Sequence, residues 1–134
     1  MATIRKVDRD FWLRFRHRLQ VEVPLPRPAN VRTRQLAVDF GSSWYFTQER
    51  RFKIVIASRL NFDLRAETLC HEWAHCHDWF TRREKDILRG VERWADQKRI
   101  HIEHADDHGP TWGMSYSLCY RALERLIKEY EERQ

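Results

Sequence analysis

Several features that mark special classes of protein are missing from this chain of 134 residues. No apolar stretch approaches the roughly 20 residues that cross a bilayer, and the first residues, MATIRKVDRD, lack the apolar run of a signal peptide. Glycine and proline number only four each, which excludes fibrous and low-complexity chains. We therefore expect a single domain over residues 1–134 that is soluble, cytoplasmic and without a membrane partner.

Cysteine is scarce as well. The three cysteines are Cys70, Cys76 and Cys119, and an odd number leaves one unpaired in any disulfide scheme. None belongs to a CxxC pair, which argues against a zinc ribbon and against a dithiol redox site. We expect reduced cysteines that pack in the core.

Charge, in contrast, is abundant and unevenly distributed. The net charge is +5, yet residues 5–34 alone contain nine Lys and Arg against three acidic residues, a net +6. A basic segment of this kind is typical of proteins that bind polyanions, so a nucleic acid is a candidate partner. A solvated helix face is the alternative interpretation.

The first part of the chain predicts one helix and a small sheet. Asp8 or Asp10 can cap a helix whose apolar residues recur at helical spacing, namely Phe11, Trp12, Phe15 and Leu19. The proline-rich run at 24–28 then forces an extended connection. Three β-like runs follow, at 31–38, 44–47 and 52–58, and predict an antiparallel meander.

The second part of the chain predicts helices. Asn61 or Asp63 can cap a helix over 64–82, a further helical segment covers 84–100, and Pro110 fits near the start of a last helix over 111–131. The predicted fold class is α+β. Its small three-stranded antiparallel sheet packs against an N-terminal helix, the helix over 64–82 and a C-terminal helix.

The helix over 64–82 contains the sequence His71-Glu72-Trp73-Ala74-His75, an HExxH motif. Residues four apart lie on one face of a helix, about 6 Å apart along its axis, so both imidazoles can bind one metal ion. This arrangement suits two ligands of a tetrahedral zinc ion, Zn²⁺. Glu72 lies beside the ion, where it can take a proton from zinc-bound water and deliver it to a leaving amine.

A catalytic zinc ion generally has three protein ligands, so a third ligand must come from elsewhere in the chain. His108 is the leading candidate, because it lies just before the last helix and is followed by a glycine. His101 and His104 are weaker candidates. Glu92 is a rival, since together with Asp96 it resembles the ExxxD helix that completes zinc binding in gluzincins.

The combination of HExxH at 71–75 with His-Gly-Pro-x-Trp at 108–112 resembles the SprT-like zinc metallopeptidases, a family that includes the Spartan proteases acting on DNA–protein crosslinks. The resemblance covers residues 8–130. It implies a zincin-like fold with His71, His75 and His108 as zinc ligands and Glu72 as the catalytic residue. Two departures from the family are the 32 residues at 76–107, which imply an extra helix, and the absence of a C-terminal zinc ribbon.

These observations predict a zinc-dependent metallopeptidase that hydrolyses peptide bonds in a protein or peptide substrate. An extended substrate would add to an open edge of the strand over 52–58. Tyr116, Tyr120 or Arg121 on the last helix could stabilise the oxyanion. A second hypothesis is a zinc-stabilised nucleic-acid-binding or regulatory module without turnover. The natural substrate and the oligomeric state stay open.

Asp78, which lies three residues after His75, has two interpretations. It could accept the second ring N–H of His75, a contact that orients a metal-binding imidazole. It could equally be an ordinary solvated carboxylate.

Overall fold

A computed structural model of the chain describes residues 9–88, 98–102 and 108–133. In these residues the chain forms, in order, α1 (Arg9–Glu22), β1 (Ala29–Arg34), β2 (Gly41–Phe46), β3 (Arg51–Ala57), α2 (Phe62–Leu88), β4 (Arg99–His101) and α3 (Pro110–Glu132). The α+β class is therefore confirmed. Within the same residues, no helix is both long enough and apolar enough to span a membrane.

The ends of the helices follow their capping residues. The side-chain oxygen of Asn61 accepts a hydrogen bond of 2.9 Å from the backbone N–H of Leu64, which makes Asn61 the N-cap of α2. At the start of α3, Gly109 is the N-cap and Pro110 is the first helical residue. Asn61 and Pro110 are therefore at the helix starts that the sequence predicts for them.

The predicted helix over 84–100 lies largely outside the described residues. The segment over 84–100 begins as the end of α2, which continues to Leu88, and finishes in β4 at Arg99–His101. The strand is only three residues long and pairs with β2, with Ile100 opposite Tyr45. Its burial depends on that distant partner, so the charged local sequence does not predict it.

The sheet also differs from the prediction. It has four strands in the order β1-β3-β2-β4, and β1 runs parallel to β3, with Val31 opposite Ile54. Only the pairs that β2 makes with β3 and β4 are antiparallel. The prediction of a three-stranded antiparallel meander is therefore wrong.

The strand order follows from the burial of each strand. β3 is central because its side chains Phe52, Ile54 and Ile56 are buried and its neighbours cover both of its edges. β1 ends in exposed polar residues such as Arg32, which an edge strand tolerates. β3 lies between β1 and β2, so it pairs with β1, which is not its neighbour in the sequence, and local patterns do not reveal that pairing.

Helix α2 lies between the sheet and α3 and forms the centre of the core. On the sheet side, the ring centroid of Trp79 is 5.1 Å from that of Tyr45. The indole N–H of Trp73 donates a hydrogen bond of 2.8 Å to the carbonyl of Val23, just after α1. Both tryptophans therefore fix α2 against the rest of the fold.

The three cysteines are free thiols and are buried in this core, as predicted. Burial raises the pKa of Cys76 and that of Cys119 well above the usual thiol range. These side chains therefore remain neutral and act as small apolar residues.

Candidate metal centre

The two histidines of the HExxH motif lie one turn apart on α2 and turn their Nε2 atoms toward each other. The distance between the two Nε2 atoms is 3.2 Å. His75 is buried, with 1% of its surface exposed, whereas His71 is half-buried. The helical spacing therefore positions both rings on one face, with one ring deeper than the other.

His108 supplies the third ring of the cluster. It lies just before α3, is exposed to solvent, and places its Nε2 atom 2.9 Å from that of His75 and 3.3 Å from that of His71. Across the described ranges, these three histidines are the group whose donor atoms could hold a metal ion. The structure thus brings together the three residues that the sequence proposes as metal ligands.

The spacing of the three nitrogen atoms fits a metal ion. Donors bonded at 2.0–2.1 Å in a tetrahedral site are about 3.3–3.4 Å apart, close to the observed 2.9–3.3 Å. An imidazole nitrogen either carries a proton or offers a lone pair. With three nitrogens in mutual contact, two must be of the same kind and repel each other unless a cation lies between them.

Trp112 packs against all three imidazoles. Its ring centroid lies 4.6 Å from that of His108, 5.1 Å from His71 and 5.4 Å from His75. It lies in the first turn of α3, four residues after His108, so the helix brings it back over the cluster. Trp112 therefore restricts the orientation of the rings, a role that the sequence motif alone does not indicate.

Glu72 lies next to this cluster and is buried, with 1% of its surface exposed. Its side chain packs against the backbone of Gly41, where an added Cβ would be 3.3 Å from Glu72 Cγ. The same Cβ would be 2.8 Å from Thr68 Cγ2 and 2.8 Å from the carbonyl oxygen of Val55. Only glycine fits there, so Gly41 allows the close approach of β2 to the carboxylate.

A cleft of about 580 Å³ opens beside His71 and Glu72. We call it the histidine cleft; residues 39–41, the α2 side chains at 64, 67, 68, 71 and 72, and Trp112 and Tyr116 line it. Burial, then the neighbouring Cys70 and Glu67, raise the pKa of Tyr116 to about 12. The Tyr116 hydroxyl therefore keeps its proton and can donate a hydrogen bond into the cleft.

Other predicted candidates lie elsewhere. His101, in β4, stacks on Trp44 with ring centroids 4.3 Å apart, away from the histidine cluster. Asp78 is buried rather than solvated, and its carboxylate forms an ion pair of 3.2 Å with Arg82. Glu92 and His104 lie outside the described residues.

His77, two residues after His75 on α2, lies apart from the cluster. Its Nδ1 atom is 2.8 Å from Ser115 Oγ. Burial lowers the pKa of His77 below the usual histidine value. His77 therefore joins α2 to α3 as a neutral side chain.

The predicted open edge on the strand over 52–58 does not exist, because β1 and β2 pair with both edges of β3. Near the site, part of β2 has a paired strand on one side only among the described residues. β4 pairs only with Trp44, Tyr45 and Phe46, so residues 41–43 have no strand partner on that side among the residues that the structure describes. The sequence Gly41-Ser42-Ser43 indicates a turn, so the sequence alone does not predict that these residues belong to β2 beside the site.

No protein family, characterised protein or solved structure was found to match this chain.

Proposed function

We propose that this protein is a zinc-dependent metallopeptidase with a zincin-like fold, related to the SprT-like family. The observation that carries the proposal is the convergence of three histidine Nε2 atoms to within 3.3 Å beside a buried glutamate in an open cleft. A structural metal site would be closed by a fourth protein ligand. Among the described residues no fourth such ligand joins the three histidines, and His108 is exposed to solvent.

His71, His75 and His108 would hold the ion, and three imidazole nitrogens are a donor set typical of catalytic zinc. When bound, zinc supplies a Lewis acid that lowers the pKa of a water molecule to about 7 and polarises a carbonyl group. The remaining chemistry belongs to the side chains of the cleft.

Glu72 acts as the general base and then as the general acid. Its carboxylate accepts a proton from the attacking water and delivers that proton to the nitrogen of the leaving amine. Packing against Gly41 keeps the carboxylate in place between these two transfers. The hydroxyl of Tyr116, protonated because its pKa is about 12, donates a hydrogen bond to the developing oxyanion.

The substrate main chain would pair with β2 at Gly41 and Ser42, which are partly exposed. An extended peptide gains backbone hydrogen bonds from such an edge with little demand on its sequence. Gly41 both lines the histidine cleft and touches Glu72, so a peptide paired there would run past the carboxylate.

The decisive experiment compares the zinc-loaded protein with Glu72→Gln. We expect both proteins to bind one zinc ion per chain, while the variant cleaves a mixture of peptides about 10²–10⁴-fold more slowly. Zinc content is measured by mass spectrometry of the metal, and cleavage by mass spectrometry of the peptides. Glu124→Gln, a change of an exposed glutamate on α3 outside the cleft, is the matched control.

Two results would contradict the proposal. Equal cleavage by the Glu72→Gln variant would remove Glu72 from the mechanism. Complete absence of cleavage by the zinc-loaded protein across the mixture would support a module without turnover.

A second candidate function, nucleic-acid binding, has its own observation in its favour. A separate cleft of about 490 Å³ lies between α1 and β1 and contains Arg9, Arg16, Arg32 and Arg65. We call it the arginine cleft. The described residues that line it include no acidic side chain, and these arginines have no ion pair within the described ranges. Such a surface fits the phosphate backbone of a polyanion.

Salt dependence tests this second candidate. We expect binding of single- or double-stranded DNA to weaken steeply as the salt concentration rises, because arginine contacts to phosphates release counterions. Fluorescence anisotropy of labelled DNA measures it. No binding at low salt would eliminate the candidate.

A further inference from the structure

The histidine cleft has a charge opposite to that of the chain as a whole. The protein contains 25 Lys and Arg and has a net charge of +5. None of these cations lines the histidine cleft in the described residues, whereas Asp39, Glu67 and Glu72 all do. Away from the metal ligands, whose ion would add its own positive charge, the cleft therefore presents carboxylates and no Lys or Arg among the described residues, and this part of it will attract cationic groups.

Two of these carboxylates are available to a ligand. Asp39 and Glu67 are both exposed, and neither forms an ion pair with a residue in the described ranges. Glu72, in contrast, is buried and belongs to the proposed catalytic machinery. Asp39 and Glu67 have no evident role in the fold that would explain their position at the site.

Aromatic rings line the same cleft as these carboxylates. Trp112 stacks on Tyr116, with ring centroids 5.1 Å apart and planes at 22°. Phe40 is 49% exposed and lines the same cleft, and the Arg59 guanidinium lies over one face of its ring, 5.2 Å from the centroid. Aromatic faces bind the ammonium or guanidinium group and also cover the aliphatic stem of a lysine or arginine.

We infer that the histidine cleft selects a lysine or arginine side chain next to the peptide bond that is cut. The inference rests on the proposed peptidase function in taking an extended peptide as the occupant. Asp39 and Glu67 pair with the cation, and Phe40, Trp112 and Tyr116 enclose its stem. Because His71 and Glu72 line the same cleft, the selected residue lies adjacent to the reacting bond.

Charge distinguishes this occupant from the alternatives. An apolar or aromatic side chain would fit the walls but would gain nothing from the two exposed carboxylates. An acidic side chain would meet repulsion from both carboxylates. A cationic side chain satisfies both the walls and the charges.

The test measures binding separately from cleavage. The zinc-loaded Glu72→Gln protein is titrated by calorimetry with four alanine-based peptides that carry lysine, norleucine, phenylalanine or glutamate at the central position. We expect the lysine peptide to bind roughly fivefold or more tightly than the norleucine peptide. Adding Asp39→Asn and Glu67→Gln should remove this difference, while Glu124→Gln in the same background should keep it.

Several outcomes would overturn the inference. These are equal or tighter binding of the norleucine or phenylalanine peptide, a lysine preference that survives loss of both carboxylates, and no binding of any peptide. Glu67→Lys should reverse the order of the lysine and glutamate peptides. Both altered side chains are exposed, so we expect these variants to fold. A denaturation midpoint equal to that of the unaltered protein verifies it.

Cleavage of the same peptides by the unaltered protein separates the two proposals. If the lysine peptide binds as expected but no peptide is cut, the peptidase function fails and the selectivity of the cleft stands. If all four peptides are cut equally, the peptidase function stands and the selectivity is overturned.

Discussion

The histidine cleft and the arginine cleft are similar in volume, about 580 Å³ and 490 Å³, and opposite in charge. The lining of the first includes carboxylates, aromatic rings and one of the three clustered histidines, His71, and that of the second includes four arginines. The arginine cleft uses residues of the basic segment at 5–34, together with Arg65 from α2. The positive net charge of the chain therefore matches the arginine cleft, whereas the carboxylates of the histidine cleft have the opposite sign.

The two clefts lie on different faces of the same helix, α2. α2 contributes to both clefts, with Arg65 and Leu69 in one and Glu67, His71 and Glu72 in the other. Residues on different faces of one helix can thus carry opposite charge without forming a pair. Changes in one cleft should leave the other unaffected, which the following variants test.

The largest effect is expected from removing a metal ligand. We expect His108→Ala to lower the zinc affinity more than about 100-fold, because a lost ligand costs more than a lost outer-shell partner. Glu92→Ala should keep the affinity of the unaltered protein. Competition with a zinc chelator measures both values, and the opposite ranking would identify Glu92 as the third ligand.

The next effect concerns the arginine cleft alone. Reversing the charge of Arg16 and Arg32 should weaken DNA binding by about tenfold or more at low salt, since contacts to phosphates are lost. Zinc affinity and peptide cleavage should stay the same. A parallel loss of zinc affinity would show that the two clefts are coupled.

A smaller effect is expected from narrowing the histidine cleft. Gly41→Ala should destabilise the fold by about 1–3 kcal/mol, because the new methyl group overlaps Thr68 and the Val55 carbonyl. Urea denaturation measures this change. Gly113→Ala is the matched control: its Cβ meets nothing within 4 Å, so within a helix it should stabilise by up to about 1 kcal/mol.

The smallest effect is a dependence on pH at the contact between α1 and α3. The Tyr130 hydroxyl, which donates 2.7 Å to Asp10, lowers the pKa of Asp10 below 3.8. The hydrogen bond from Arg18 lowers the pKa of Glu129 below 4.5. Because both folded-state values are depressed, this stabilisation is present above the unfolded-state values and is lost as the pH falls below them.

Asp10→Asn with Glu129→Gln should therefore reduce the acid dependence of stability. Denaturation midpoints between about pH 7 and pH 3 measure it. An unchanged dependence below pH 4.5 would remove these two carboxylates from the acid transition.

The helices and the histidine cluster could be predicted because their signals are local. Four-residue spacing brings His71 and His75 together on any helix, and Asn61 and Pro110 mark helix starts by their own chemistry. His108 is distant from those two histidines in the sequence, and its prediction rested on its place before the last helix and on the His-Gly-Pro-x-Trp pattern at 108–112. Its neighbour Trp112 then packs on the cluster, a contact that only the folded chain defines.

The sheet and the cleft could not be predicted in the same way. The position of β3 between β1 and β2 depends on competition between strands that are far apart in sequence. The local sequence around Gly41 predicts a turn, but in the fold this glycine allows β2 to approach Glu72 closely. Asp39 and Glu67 are ordinary polar residues in the sequence, and they become one site only when the loop before β2 meets α2.

Two of the three imidazoles, His71 and His75, lie on α2, and the third, His108, lies two residues before the start of α3. An ion held by them would act as a cross-link between the two longest helices, so folding and metal uptake would share one equilibrium. At free zinc a thousandfold above the dissociation constant, such linkage adds about 4 kcal/mol to the stability of the native state. Starving the protein of zinc would then loosen the packing of α3 as well as stop catalysis.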